Sequence, residues 1–261
     1  MLLRLVALLA CLAGPALAES VSFPANSQYE GAPVTLDATL QGPSGPGPHP
    51  AVILMHGCGG LQPAVAEALD IHAKALNDAG FVTLVLDSFG PRGIGGGHVC
   101  ETYERLRKAR SYRMQDAHDA KAFLLSQPQV DGANIFVMGQ SNGGSVTIRL
   151  SQRDTREFRA LAAYYPWCGA FNRLGAKAEL TTPLIVFGGD ADDWVPPDDC
   201  TTITAEGADY AVHIYPGAAH SFDLQIPEQT FQGHLVGNNP EAETDSRAKM
   251  IAFFKSHLAG P

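Results

Sequence analysis

Six short apolar runs set the terms for what this chain can fold into. They are Ala51–Met55, Phe81–Leu86, Ile135–Met138, Leu161–Tyr165, Leu184–Phe187 and Ala211–Tyr215. Each has strand length and little polar alternation, the pattern of a strand buried on both faces. Helical segments are expected between them: Ala64–Ala79, with Gly80 as its C′ cap; Ser111–Ser126, stopped before Pro128; and a helix from the Gly-rich turn after Met138 through about Gln152. Ala242–Leu258 reads as a closing amphipathic helix. Strands alternating with helices predict an α/β chain with a mostly parallel sheet, covered on both faces. Ligands of such sheets sit at the carboxyl ends of the strands. A Pro/Gly stretch, Gln41–Pro50, sets an N-terminal hairpin-like region apart from this alternation.

The chemistry-bearing residues cluster where that rule puts them. Gly139-Gln140-Ser141-Asn142-Gly143 is a G-x-S-x-G sequence between a strand and a helix. In that setting it reads as a nucleophile elbow, a sharp turn that exposes the serine hydroxyl. A serine hydroxyl is a weak nucleophile and needs a base, which an acid in turn orients. The order expected along the chain is serine, acid, histidine. The loop after Leu184–Phe187 carries Asp190, Asp192 and Asp193; Asp192, three residues before Val195-Pro196, is preferred as the acid. The loop after Ala211–Tyr215 carries His220. Of the nine histidines it alone sits in a loop directly after a late strand, with His98 in the long central loop as the rival. His56-Gly57-Cys58-Gly59-Gly60 follows the first buried strand and reads as the loop that supplies one oxyanion donor. The donors would be the backbone N–H groups of Cys58 and Asn142. The alternative for this loop is a plain strand-to-helix glycine turn.

At these residues the chain resembles the dienelactone hydrolase family. The likeness rests on G-Q-S-N-G-G at the elbow, D-D-W-V-P-P at the acid and Y-P-G-A-A-H-S-F at the histidine, and spans Ala51 to Leu258. It implies an α/β-hydrolase fold of about seven or eight strands, with Asp192 as acid and His220 as base. The founding members of the family use cysteine where this chain has Ser141, which points to a serine esterase branch with exported members. Gly90-Pro91-Arg92-Gly93 also resembles that branch. Arg92 and Trp194 are the expected substrate-contacting side chains. Arg105, Arg107, Lys108 and Arg110 share the long loop Ser88–Arg110 with Arg92. They read as a cationic pocket rim or as the solvated start of a helix, and the second reading is preferred.

The N-terminus carries its own signals. Met1–Arg4 is basic, Leu5–Ala13 is apolar, and Ala16-Leu17-Ala18 fits the small-residue rule for cleavage before Glu19. The run falls well short of the roughly 20 residues a membrane span needs. An uncleaved anchor and lipidation at Cys11 are the alternatives. Residues 19–261 then form one hydrolase domain, exported to the periplasm or beyond. Export leaves Cys58, Cys100, Cys168 and Cys200, an even set in an oxidising compartment. Cys58 and Cys100 lie in the loops after the first two buried runs, and Cys168 and Cys200 follow the fourth and fifth. Neighbouring strands would bring those loops together, so Cys58–Cys100 and Cys168–Cys200 are the expected bridges, with four buried free thiols as the alternative.

A formal charge of −9 repels phosphate backbones and argues against nucleic-acid partners. The cysteine and histidine spacings do not suggest a zinc site, and acyl transfer of this kind needs no cofactor. The resulting expectation is a serine hydrolase for small carboxylic esters or lactones. An exported peptidase, a saccharide acetyl-ester deacetylase and a non-catalytic binding module are the alternatives. Neither the particular ester nor the oligomeric state is encoded in a readable way.

Overall fold

A computed structural model describes residues 18–153, 157–169, 180–203, 205 and 207–260. The expected signal peptide therefore lies outside the described residues, apart from Ala18. Ten strands, five α-helices and two short 3-10 helices (Gly90–Arg92 and His98–Glu101) are described. Two N-terminal strands, β1 (Glu19–Tyr29) and β2 (Ala32–Gln41), pair antiparallel as the hairpin expected before the Pro/Gly loop. The parallel strands are β3 (His49–Met55), β4 (Val82–Asp87), β5 (Val130–Gln140), β6 (Leu161–Tyr164), β7 (Leu184–Gly189) and β8 (Tyr210–Tyr215). The eight form one sheet in the order β1-β2-β4-β3-β5-β6-β7-β8. All six apolar runs are strands of it.

Both faces of the sheet are buried, and side-chain alternation divides them. Ile53, Leu84, Val137, Ala163 and Val186 face one core together with Ala117 and Leu124 of α2 (Tyr103–Leu125) and Val146 and Ile148 of α3 (Asn142–Arg153). Leu54, Val85, Phe136, Ala162 and Phe187 face the other. That second core is closed by Leu69 and Leu76 of α1 (Pro63–Asp78) and by Met250 and Phe254 of the last helix. A fourth, short helix, α4, covers Asp198–Thr201, and the closing helix is α5 (Pro240–Ser256). A buried Leu or Phe at such positions is worth about 1.5–3 kcal/mol of transfer free energy.

The register aligns the strand ends. Met55 pairs with Gly139, Gln140 with Tyr164, Tyr164 with Phe187, and Gly189 with Tyr215. The loops after β3, β5, β6, β7 and β8 therefore leave the sheet along one edge.

The structure departs from the sequence reading in two elements. α2 begins at Tyr103, not Ser111, with the Thr102 side chain accepting from Arg105 N–H as its N-cap. Arg105, Arg107, Lys108 and Arg110 thus lie on its first turns. A second departure is a two-stranded hairpin, β9 (Gln229–Phe231) and β10 (His234–Val236), between the His220 loop and α5. Both disulfides are as expected: Cys58–Cys100 with Cα atoms 5.2 Å apart, and Cys168–Cys200 at 5.0 Å. They close separations of 42 and 32 residues. In the chain-entropy account each loop contributes about 4 kcal/mol by restricting the unfolded chain.

Candidate active site

Ser141 sits at the turn between β5 and α3 with φ +50°, a left-handed conformation that a serine rarely adopts. The turn can be that sharp because its flanks come within bonding-shell distance of other backbone. A Cβ on Gly143 would lie 2.5 Å from the Met55 carbonyl oxygen and 2.7 Å from that of His56. The elbow therefore packs directly onto the loop after β3. The Ser141 N–H donates to Tyr164 O at 2.9 Å, and Ser145 N–H donates back to Ser141 O at 2.8 Å. The strained residue is held by hydrogen bonds on both sides.

A continuous hydrogen-bond path runs from this serine. Ser141 Oγ lies 3.0 Å from His220 Nε2, and His220 Nδ1 lies 2.7 Å from Asp192 Oδ2. His220 and Asp192 are buried. With Nδ1–H donating to the carboxylate, Nε2 is left free to accept from the serine hydroxyl. The other oxygen of Asp192 accepts from the backbone N–H groups of Trp194 and Val195, at 3.0 and 2.9 Å. These contacts satisfy the buried carboxylate and fix its direction.

The two rival aspartates have other partners. Asp190 Oδ1 accepts from Gly217 N–H, and Asp193 Oδ1 accepts from Leu235 N–H at 3.0 Å. The loops after β7 and β8 meet closely here; a Cβ on Gly189 would overlap the Ala218 carbonyl. His98, the rival base, is half-exposed beside Glu101 and Arg105.

On the opposite side of Ser141 stands the loop after β3. Asn142 is the first residue of α3, so its N–H has no acceptor within the helix. Gly57 lies against Ser141, and Cys58 lines the cavity beside it. His56 is buried and neutral in character: Nδ1–H donates to Gly57 O at 2.7 Å, and Nε2 accepts from Ser88 N–H at 3.2 Å. Burial, with the nearby Arg113 charge, holds its pKa well below the usual histidine value.

Arg113 was not singled out by sequence, yet it joins the two segments. Its guanidinium, fully buried, donates to His56 O at 2.6 Å and to Asn142 Oδ1 at 2.8 Å. Burial lowers its pKa to about 10, which leaves it a cation at neutral pH. One guanidinium thus spans the β3 loop and the elbow, as its fork of donors permits.

Two cavities meet at Ser141. One, of 260 Å³, is walled by Val65, Leu224, Ile226, Phe231 and Val236 and is largely apolar. The other, of 190 Å³, is walled by Tyr103, Leu106, Arg110, Trp167 and Val195. Cys58, Ser141, Trp194 and His220 border both. Trp194, one of the two expected substrate-contacting side chains, borders both cavities. Arg92 does not. Its guanidinium is buried in a two-pronged pair with Asp116, at 2.9 and 2.7 Å, and also donates to Ser88 O. The ion pair, shielded by the Tyr112 ring 4.3 Å away, anchors the Ser88–Arg92 turn to α2. Arg92 lines neither cavity because its guanidinium is turned onto Asp116 of α2. Among the described residues no group of three His, Cys, Asp or Glu side chains is placed to hold a metal ion. Among them, too, no helix is long and apolar enough to cross a membrane.

A mostly parallel eight-stranded sheet, helices on both faces and an elbow at a strand's carboxyl end define the α/β-hydrolase fold. The chain belongs to the dienelactone hydrolase family, whose model matches residues 36–258. Two curated relatives, uncharacterized proteins from two Mycobacterium tuberculosis strains, are each 28% identical over 194 residues. The match takes in 67% of this chain and spans 64% of those relatives' length. Among solved structures, the dienelactone hydrolase of Anabaena variabilis superposes with a TM-score of 0.69 at 17% identity, covering 94% of this chain and 100% of that one. A dienelactone hydrolase-like promiscuous phosphotriesterase from metagenomic libraries gives 0.71 at 20% identity, covering 94% and 100%. A puromycin-hydrolyzing peptidase of Mycobacterium tuberculosis gives 0.67 at 19% identity, covering 94% of this chain and 40% of that one. At these identities the structural likeness speaks for the fold.

Proposed function

We propose that this hydrolase is an exported serine esterase, acting on small carboxylic esters or lactones through an acyl-Ser141 intermediate. The hydrogen-bond path from Ser141 through His220 to Asp192 carries this reading. Ser141 Oγ attacks the carbonyl carbon while its proton passes to His220 Nε2. Asp192 holds the ring's tautomer and stabilises the imidazolium. The oxygen that gains charge is received by the Cys58 and Asn142 N–H groups, which act only as that charge develops. The intermediate collapses as the leaving alkoxide takes the proton from Nε2–H. Water then gives a proton to His220 and attacks the acyl carbon, and as the second intermediate collapses Ser141 Oγ leaves with the proton from Nε2–H, freeing the acid. The two cavities on either side of Ser141 would separate the acyl and alcohol portions. Their volumes suit small groups rather than a polymer.

The leader-like N-terminus and two disulfides support an oxidising destination outside the cytoplasm. One domain from Glu19 onward would then be the mature enzyme.

The test joins labelling to turnover. A fluorophosphonate should modify Ser141, and Ser141→Ala should lower kcat on p-nitrophenyl acetate or butyrate by about 10⁶-fold. Retention of a tenth of the activity would end the assignment. Lactones, acetylated sugars and p-nitroanilides complete the panel. Faster amide than ester cleavage would move the reading to a peptidase, and a preference for acetylated sugars would move it to a deacetylase.

A further inference from the structure

Behind His220 lies a buried carboxylate that the proposed reaction does not use. Asp223 is 1% exposed and three residues beyond His220. It accepts three hydrogen bonds, each from a different element. Tyr165 Oη–H donates to Oδ1 at 2.6 Å; His72 Nε2 and Gln140 Nε2 donate to Oδ2, both at 2.8 Å. Burial alone would raise the Asp223 pKa, but these donors take it below the usual carboxylate value. The group is a fixed anion at neutral pH, and its partners are held accordingly.

Two of those partners touch the reacting residues. Gln140, which borders the larger cavity, immediately precedes Ser141, and its side-chain amide is tied to Asp223. Tyr165 packs edge-on against the His220 imidazole, with ring centroids 4.7 Å apart. Its backbone is strained as well, with φ +37°. A strained tyrosine beside the base needs an anchor, and its hydroxyl has one in Asp223. Burial and the Asp223 charge push the Tyr165 pKa far up, so that hydroxyl stays a donor.

Resting on the esterase reading above, we propose that Asp223 is a positioning residue for the base and the nucleophile. Through the Tyr165 hydroxyl it fixes the ring that keeps His220 between Asp192 and Ser141, and through Gln140 it fixes the approach to the elbow. The third arm, to His72, ties the assembly to α1.

The experiment uses Asp223→Asn, Tyr165→Phe and the double variant, with kcat normalised to sites titrated by a fluorophosphonate. Both single variants should titrate fully, with kcat down about 10- to 100-fold and KM within about twofold, the mark of misplaced reacting groups. The double variant should be no worse than the worse single one, because the contact that Tyr165→Phe removes is one that Asp223→Asn already disrupts. A purely structural role would lower the number of titrated sites or the melting temperature and leave the rate per site unchanged. Tyr165→Phe within about twofold of the parent kcat, losses that multiply in the double variant, or a rise in KM alone would each overturn the proposal. Should Asp223→Asn not fold, Tyr165→Phe decides alone, since it removes one hydroxyl and keeps the ring. Ser141→Ala run in parallel separates the two claims: if it stays active, the esterase reading has failed first.

Discussion

The loops on the two sides of Ser141 are immobilised by different means. On the β3–α2 side, the Cys58–Cys100 bond and the buried Arg113 cation join three segments. On the β7–β8 side the Cys168–Cys200 bond ties α4, but among the described residues it does not reach the His220 loop, which aspartates hold. Asp192 takes Nδ1–H of His220, Asp190 takes Gly217 N–H, and Asp223 takes the Tyr165 hydroxyl. The contrast follows from what each side is asked to do. The β3 loop would offer backbone donors to a charge that comes and goes, so rigidity and a nearby cation suit it. The histidine would have to keep one orientation while a proton comes and goes, and the carboxylate on its Nδ1 fixes that orientation.

The largest effect should come from breaking the base side at Asp192. Asp192→Asn keeps the shape and allows the wrong imidazole tautomer, and should cost about 10⁴ in kcat. Asp190→Asn and Asp193→Asn remove contacts that fix loops without touching the imidazole, so their kcat should fall far less. Steady-state rates for the three variants at one pH decide the order. If Asp190→Asn proved the most damaging, the acid would have to be reassigned.

An intermediate effect is expected on the other side. Arg113→Met removes the clamp between His56 O and Asn142 Oδ1 and leaves buried acceptors without a donor. Loss of charged hydrogen bonds of this kind should cost on the order of 3 kcal/mol in stability. A displaced oxyanion loop should also lower kcat by about 10- to 100-fold, less than outright loss of a donor. Arg113→Lys should recover only part of either, because an ammonium lacks the planar fork. Denaturant midpoints beside kcat would show it. A stable Arg113→Met variant with full activity would erase the distinction between the two sides.

The two sides also differed in how legible they were. The β7–β8 side could be read because short motifs encode its backbone: a strand, a glycine pair, the aspartates and V-P, then P-G-A-A-H-S-F after the next strand. The elbow was legible for the same reason. The start of α2 was not. Tyr103–Arg110 is charged on five of its eight positions, and its helicity is supported by the Thr102 cap and by Ala109, which is buried with Cys100 and Phe89. Arg113 and Asp116 lie inside the helix read from Ser111, but nothing in one chain shows that they meet His56, Asn142 and Arg92, and the Asp116 pairing holds Arg92 out of both cavities. The β9–β10 hairpin was missed because its strands have three residues each. Its one signal is Gln232-Gly233, both at positive φ (54° and 86°), a two-residue turn with glycine second. Asp223 stands in the H-S-F-D sequence, but nothing in one chain says that Gln140, Tyr165 and His72 converge on it.

The smallest effect concerns stability alone and returns to the β3 side. His56 is buried against Arg113, and its folded pKa is depressed well below 6.5, first by burial and then by that charge. Above about pH 6.5 the residue is neutral in both folded and unfolded chains, and the contribution of its hydrogen bonds is fully present. Below that value the unfolded chain takes up a proton that the folded chain refuses. Stability should therefore fall as pH drops, by up to about 1.4 kcal/mol per pH unit for one such proton. His213, also depressed by burial and by Lys249, adds in the same direction. Through the window from pH 6.5 to 5, Asp223 and Asp245 are held low by their hydrogen bonds, while burial raises Asp116, a contribution common to the parent and to His56→Asn. Denaturant unfolding of the parent and of His56→Asn across that window should give a steeper loss for the parent, with His213→Asn as the control for the second histidine. Equal slopes in parent and His56→Asn would mean that the imidazole can be protonated in place. Arg113 would then not be the fixed cation that distinguishes this side from the other.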